Sequence, residues 1–189
     1  MSQNPDLQPA KPFGKPDTAA RRTRLREFQT QLVERMQAAR AGADTRVSRL
    51  GVMIGQRRWL LSLQEAGEIL SVGAITKVPL THGWYLGLLN VRGNLISVID
   101  FAQFLGQAST VQDKESRIVA FAPGLAFNCG LLVNRVLGLR NVAEMEKSMA
   151  GEGAAQWSSH RYVDRESQEW IELDLSLVVQ DPQFLHVGV

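Results

Sequence analysis

The chain has 189 residues, 44% of them hydrophobic and 21% charged, enough to bury a core without metal or disulfide support, and no apolar run approaches the roughly 20 residues needed to span a bilayer. The only cysteine, Cys129, excludes an intrachain disulfide and suits a reducing compartment, and no apolar segment with a small-residue cleavage site opens the chain; a cytoplasmic protein without direct membrane insertion is expected. The net charge of +2 is unevenly held: between Ala19 and Arg49 eight arginines (positions 21, 22, 24, 26, 35, 40, 46 and 49) face only Glu27, Glu34 and Asp44, so the remainder from Leu50 onward is net acidic.

Residues 1–18 hold four of the seven prolines (Pro5, Pro9, Pro12 and Pro16) among polar neighbours, too little apolar surface to offset the entropy of ordering, and read as a disordered tail. Leu25, Phe28, Leu32 and Met36 then recur at helical spacing. With Asp17 or Thr18 to cap the start and Gly42 to end it, residues 19–42 are expected as one amphipathic helix. After Thr45 the period shortens. Val47–Ile54 and Trp59–Leu63 read as strands joined at Gly55-Gln56, and Ile69–Val72, Leu88–Val91 and Leu95–Ile99 as further strands. Gly93-Asn94 is a two-residue hairpin signal, and Thr81–Leu86, just past Pro79, reads as a short helix. Ser116–Phe121 and Leu125–Val133 flank a Pro123-Gly124 turn, Val136–Leu139 is a short strand, and Trp170–Asp174 is the last. Glu144–Ser159, polar with small residues, is expected as loop with a helical turn at most. Short strands broken by frequent turns point to small barrels.

Enzymatic signatures are absent from this pattern. His82, His160 and His186 show no metal-ligand spacing, and there is no nucleophile elbow, Walker-type phosphate loop or GxGxxG. Cys129, inside the apolar run Leu125–Leu132, reads as a buried hydrophobe. Asp100 and Asp174 each follow an apolar strand and could do acid/base work as a pair, but aspartate at a strand exit more simply caps the next helical turn, here Phe101–Leu105 and Leu175–Val179. The arginine-rich helix invites a nucleic-acid reading, yet its apolar stripe needs cover and the body shows no basic, aromatic-rich strands for base stacking. No nucleic-acid partner, catalytic residue, metal or cofactor is expected.

The informative stretch is Ile75-Thr76-Lys77-Val78-Pro79 followed by Gly87-Leu88-Leu89-Asn90-Val91-Arg92-Gly93-Asn94-Leu95-Ile96-Ser97-Val98-Ile99-Asp100-Phe101. It resembles the CheW family pattern of a proline, then G-hydrophobic-hydrophobic-N-L-R-G, then a hydrophobic strand ending in Asp-Leu. Other segments follow in family order: Gly51–Gly55 with Trp59–Leu63 resembles the opening hairpin, Glu68-Ile69-Leu70 an E-I-L segment, Gly130–Val136 a G-hydrophobic-hydrophobic-V-D-x-V strand, and Ile171–Leu177 the closing strand and helix. The departures are Val91 and Phe101 for leucine, Ala66 for valine, and Asn134 for aspartate, the last removing a charge. The helix before the first strand and the ending Phe184–Val189 look most like the adaptors of type IV pilus, or twitching-motility, chemosensory systems.

The resemblance implies a mainly β fold of two five-stranded SH3-like β-barrels, with the amphipathic helix before them and a short C-terminal helix. A CheW-like domain would then span 45–182, leaving 183–189 as a C-terminal tail. It also implies a non-catalytic adaptor between the cytoplasmic tip of a methyl-accepting chemoreceptor and the regulatory domain of a CheA-type histidine kinase, recruited to membrane-associated receptor arrays. A flagellar chemotaxis adaptor and a nucleic-acid-binding barrel are the alternatives. The matching positions nominate Glu68, Ile69, Gly87, Asn90, Arg92, Gly93 and Asn94 for partner binding. Arg92 either meets a partner or bonds carbonyls of two strands and holds the barrels in register, while for Gly87 and Gly93 backbone geometry is the simpler role. Of the adjacent pair Ile69 and Leu70, one must face outward.

Overall fold

The computed structural model describes residues 48–149, 151, 153–158 and 160–189. The chain divides after Gly42, and these residues belong to the unit Ala43–Val189. The tail expected at 1–18 and the helix expected at 19–42 lie outside the described residues.

The strands are β1 (Ser48–Ile54), β2 (Arg57–Ser62), β3 (Ala66–Ser71), β4 (Tyr85–Val91), β5 (Asn94–Asp100), β6 (Arg117–Phe121), β7 (Cys129–Val133), β8 (Arg135–Asn141), β9 (Glu146–Met149), β10 (His160–Val163) and β11 (Glu169–Leu173). They form two sheets, one of six strands in the order β8-β1-β2-β11-β10-β9 and one of five in the order β3-β6-β7-β5-β4. Among the described residues helix is confined to short turns such as Phe101–Phe104, Leu175–Val178 and Pro182–Leu185. The fold is mainly β, in two sheet halves, as expected.

Both sheets curl. In the first, β8 and β9 stand at opposite edges yet are joined only by Val142–Met145, a link that reaches at most about 18 Å. A flat six-stranded sheet would be about 24 Å across, so its edges must approach. In the second, the chain beyond β3 comes back to the far edge at β4, where Thr76 and Leu88 exchange two backbone hydrogen bonds of 2.8 Å.

Successive strand residues point to opposite faces, and here both faces are apolar. Leu61, Ile99, Val119, Leu131 and Ile171 enter one large shared core, to which both sheets contribute. Their neighbours Val98, Ile118 and Leu132 fill the inside of the five-stranded half, with Leu89 and Ile96. Leu60, Tyr162 and Trp170 fill the inside of the six-stranded half. Central strands therefore read as continuous apolar runs, β7 being buried at all five positions.

Asn134, at the crossing from β7 to β8, ties the halves together: its N–H donates to Met53 O (2.9 Å), and its Oδ1 accepts from Gly55 N–H (2.8 Å). Asparagine suffices, because the partners are backbone groups.

Several expectations are corrected. Thr81–Leu86 is not helical: Leu80 has φ of 59°, and Thr81 bridges Gly188 in an extended arrangement. The strand expected from Leu125 starts only at Cys129, since Pro123–Leu125 forms a helical turn and Ala126 has φ of 50°. Glu144–Ser159 is not all loop, because Glu146–Met149 adds to β10 as an edge strand, giving that half a sixth strand. Its four residues are exposed, so no apolar alternation marked it. Residues 183–189, read as a tail, lie against the body: Phe184 is buried, His82 N–H donates to Val187 O (2.9 Å), and Val189 N–H donates to Leu80 O (3.1 Å).

Candidate partner-binding surface

β3 pairs with β6, but the register shifts between Ala66 and Ile69. Such a bulge takes residues out of the ladder and re-aims a side chain. Here it frees Glu68. After it Leu70 packs toward the core of the five-stranded half, and Ile69 faces outward at 43% exposure.

The hairpin β4–β5 supplies the facing residues. Val91 is paired with Asn94, so the two turn residues are Arg92 and Gly93, one position earlier than the Gly93-Asn94 pair expected. Both have positive φ, 51° and 89°, the signature of a type I′ turn, whose hand matches the twist of the strands. Asn90 Oδ1 accepts from Gly93 N–H (2.8 Å) and fixes the turn from within. Leu95, opposite Asn90 in the ladder, is 56% exposed.

The guanidinium of Arg92 forms a two-pronged bond with the Glu68 carboxylate, Nη2 to Oε1 at 2.6 Å and Nη1 to Oε2 at 3.2 Å. Glu68 belongs to one edge strand of the five-stranded sheet and Arg92 to the hairpin at the other edge, so the pair spans the seam where the sheet closes. Arg92 does not bond carbonyls of two strands. Its turn projects outward, the side chain is 78% exposed, and both prongs go to Glu68.

The seven nominated residues therefore divide. Glu68, Ile69, Asn90, Arg92, Gly93 and Asn94 are exposed, with Leu95 as a neighbour that sequence reasoning missed, although alternation with the inward Ile96 and Val98 would have signalled it. Gly87 is buried, with φ of 130° and the Thr76 carbonyl where a Cβ would sit. It permits strand closure and presents nothing outward.

Other groups singled out in the sequence take structural places. Asp100 and Asp174 cap helical turns, accepting from Gln103 N–H (3.3 Å) and Leu177 N–H (3.0 Å), and buried Asp100 also accepts from both Thr110 N–H and its hydroxyl. Burial pushes the Cys129 thiol up to about 12, so it carries no thiolate at neutral pH. The fold brings His82 and His186 together, ring centroids 6.3 Å apart, at a groove of about 400 Å³ shared with Trp84 and Phe104, whereas His160 lies elsewhere against Glu172 (2.9 Å). Among the described residues no cluster of three metal-ligating side chains forms, and no helix is long and apolar enough to cross a membrane.

Two small curled β-sheets around a shared core, with an ion pair and exposed aliphatic side chains at the outer seam of one of them, define a small two-sheet β module. The chain belongs to the CheW-like domain family, whose sequence pattern matches residues 49–182. It is 30% identical to the protein PilI of Pseudomonas aeruginosa over 145 residues, covering 75% of this chain and 80% of that one. It is 34% identical to the chemotaxis protein CheW of Thermotoga maritima over 76 residues, 40% of this chain and 49% of that one. Its fold is similar to the crystal structure of the scaffolding protein TtCheW from Thermoanaerobacter tengcongensis, with a TM-score of 0.59 at 19% identity over 72% of this chain and 94% of that one.

Proposed function

We propose that this chain is a non-catalytic adaptor joining the cytoplasmic tip of a methyl-accepting chemoreceptor to the regulatory domain of a CheA-type histidine kinase, in a system that controls type IV pilus twitching motility. The observation that carries the reading is the two-pronged Glu68–Arg92 bond at the outer seam of the five-stranded half, with exposed Ile69 next to Glu68 in β3 and exposed Leu95 in the hairpin that carries Arg92. A preformed fork accompanied by two exposed aliphatic side chains offers directional bonds and apolar contact at little further entropic cost. Weak contacts of this kind combine through effective concentration when many adaptors sit in one receptor array. The pilus system is favoured because similarity to PilI runs over 75% of the chain, against 40% for the Thermotoga chemotaxis protein. Arg92→Glu tests the surface: the variant remains soluble and folded but loses receptor-dependent phosphotransfer by the kinase, and intact phosphotransfer overturns the proposal. A chromosomal deletion separates the systems, since loss of twitching with normal swimming is expected and the reverse pattern assigns a flagellar pathway.

A further inference from the structure

The six-stranded sheet carries a charged feature of a different kind. Across its middle runs a row in which Trp59 of β2 neighbours Ile171 of β11, and Ile171 is paired with Arg161 of β10. Trp59 and Ile171 belong to the shared core, but the row continues on an arginine and then on exposed Ser148 of the edge strand β9. Arg161 lines a depression of about 250 Å³ with Gln56, Arg57, Arg58, Glu169 and Ile171. Among the described residues neither Arg57 nor Arg161 has a carboxylate within ion-pair distance, and Arg58 is steadied instead over the Trp170 ring at 5.9 Å. Arg57, Arg161 and Glu169 fall on the face of Ile171, so two guanidinium groups meet one carboxylate there, in a body that is otherwise net acidic, while Arg58 lies over Trp170 on the other face of the sheet.

We propose that this depression docks an acidic segment of a protein partner through its carboxylate side chains. Guanidinium forks bind carboxylates through two parallel hydrogen bonds, and arginine is the residue suited to such contacts because it is weakly hydrated and always charged. The depression is smaller than the roughly 300–1,000 Å³ of ordinary small-molecule sites, so it receives one or two side chains and does not enclose a metabolite. Glu169 in its wall opposes a dense dianion and suits a segment in which a basic residue accompanies the acids. It is built by the sheet that lacks the Glu68–Arg92 pair, so the inference stands apart from the adaptor reading.

The test uses the full chain, isotope-labelled, titrated with hexaglutamate and separately with pyrophosphate while backbone amides are followed by NMR. Hexaglutamate is expected to shift the amides of Gln56–Arg58, Arg161 and Glu169, with a dissociation constant that rises steeply with salt. Arg57→Glu with Arg161→Glu weakens binding at these amides at least about tenfold, and Glu169→Gln tightens it. The neutral pair Arg57→Gln with Arg161→Gln serves if charge reversal disturbs folding. Shifts confined to other residues, including the arginines of 19–49, or an unchanged constant in the double variants, overturn the proposal. Pyrophosphate binding as tightly as hexaglutamate at these amides also overturns it, by making the depression a small-anion site.

Discussion

Arg92 and Glu68 meet across the seam of the five-stranded half in a two-pronged bond, and Arg92 makes it from a backbone φ of 51° that side-chain-bearing residues rarely adopt. A left-handed residue other than glycine or asparagine costs roughly 1–2 kcal/mol. An ion pair this exposed returns about 0–1 kcal/mol. Folding alone therefore does not favour arginine at this turn, and strain of this sort points to function.

Arg92→Asn accordingly separates stability from function. Asparagine accepts positive φ, so the variant unfolds in urea within about 1 kcal/mol of the parent, or is slightly more stable. Binding of kinase or receptor is lost. The exchange Glu68→Arg with Arg92→Glu restores binding if the pair acts as a rigid brace, and does not if the guanidinium itself meets the partner.

Gly87 and Gly93 both have positive φ but differ in surroundings. A Cβ at Gly87 runs into the Thr76 backbone, whereas at Gly93 nothing lies within 4 Å. Gly87→Ala should cost about 3 kcal/mol or more, or prevent folding, and Gly93→Ala about 1 kcal/mol. Denaturant midpoints of the two variants measure the difference.

Glu65 sets a pH dependence. Burial holds its carboxyl above the usual value, outweighing the hydrogen bond it accepts from Leu175 N–H, and Asp174 nearby adds to the rise. In the unfolded chain the group ionises first, so the folded state retains more protons and loses stability as pH climbs from about 4.5 through the raised value. Glu65→Gln keeps an acceptor for Leu175 and removes the charge. Its stability relative to the parent should rise across this window and stay level above it, as urea titrations from pH 4 to 7 would measure.

Cys129 is 1% exposed, with its thiol near 12, so thiol reagents at pH 8 should leave the native protein unmodified and label it fully in guanidinium. Rapid labelling of the native state would contradict the shared core described for β7.

Much of the strand order was legible because alternation and turn chemistry are local. Gly55-Gln56 and Pro123-Gly124 turn where expected, and Asp100 and Asp174 cap as their positions at strand exits suggested. Failures came where a local signal had a competitor. The hairpin turned at Arg92-Gly93 because pairing across β4 and β5 decides the register, and Thr81–Leu86 formed no helix because Thr81 bridges Gly188, a turn follows at Gly83-Trp84 and Tyr85 already enters β4. Strand β9 carries no apolar pattern and exists through its ladder with β10.

By itself the sequence determined that this is a β protein of short strands in a given order, and that Ile69 or Leu70 must point outward. Those properties follow from side-chain period and turn preference, which act within a few residues. Only the tertiary structure decided that Glu68 closes a seam with Arg92, that Gly87 lies buried against the Thr76 carbonyl, and that Arg57 and Arg161 share one depression. Sheet pairing and curling bring together residues far apart along the chain, and no local pattern records which of them will meet.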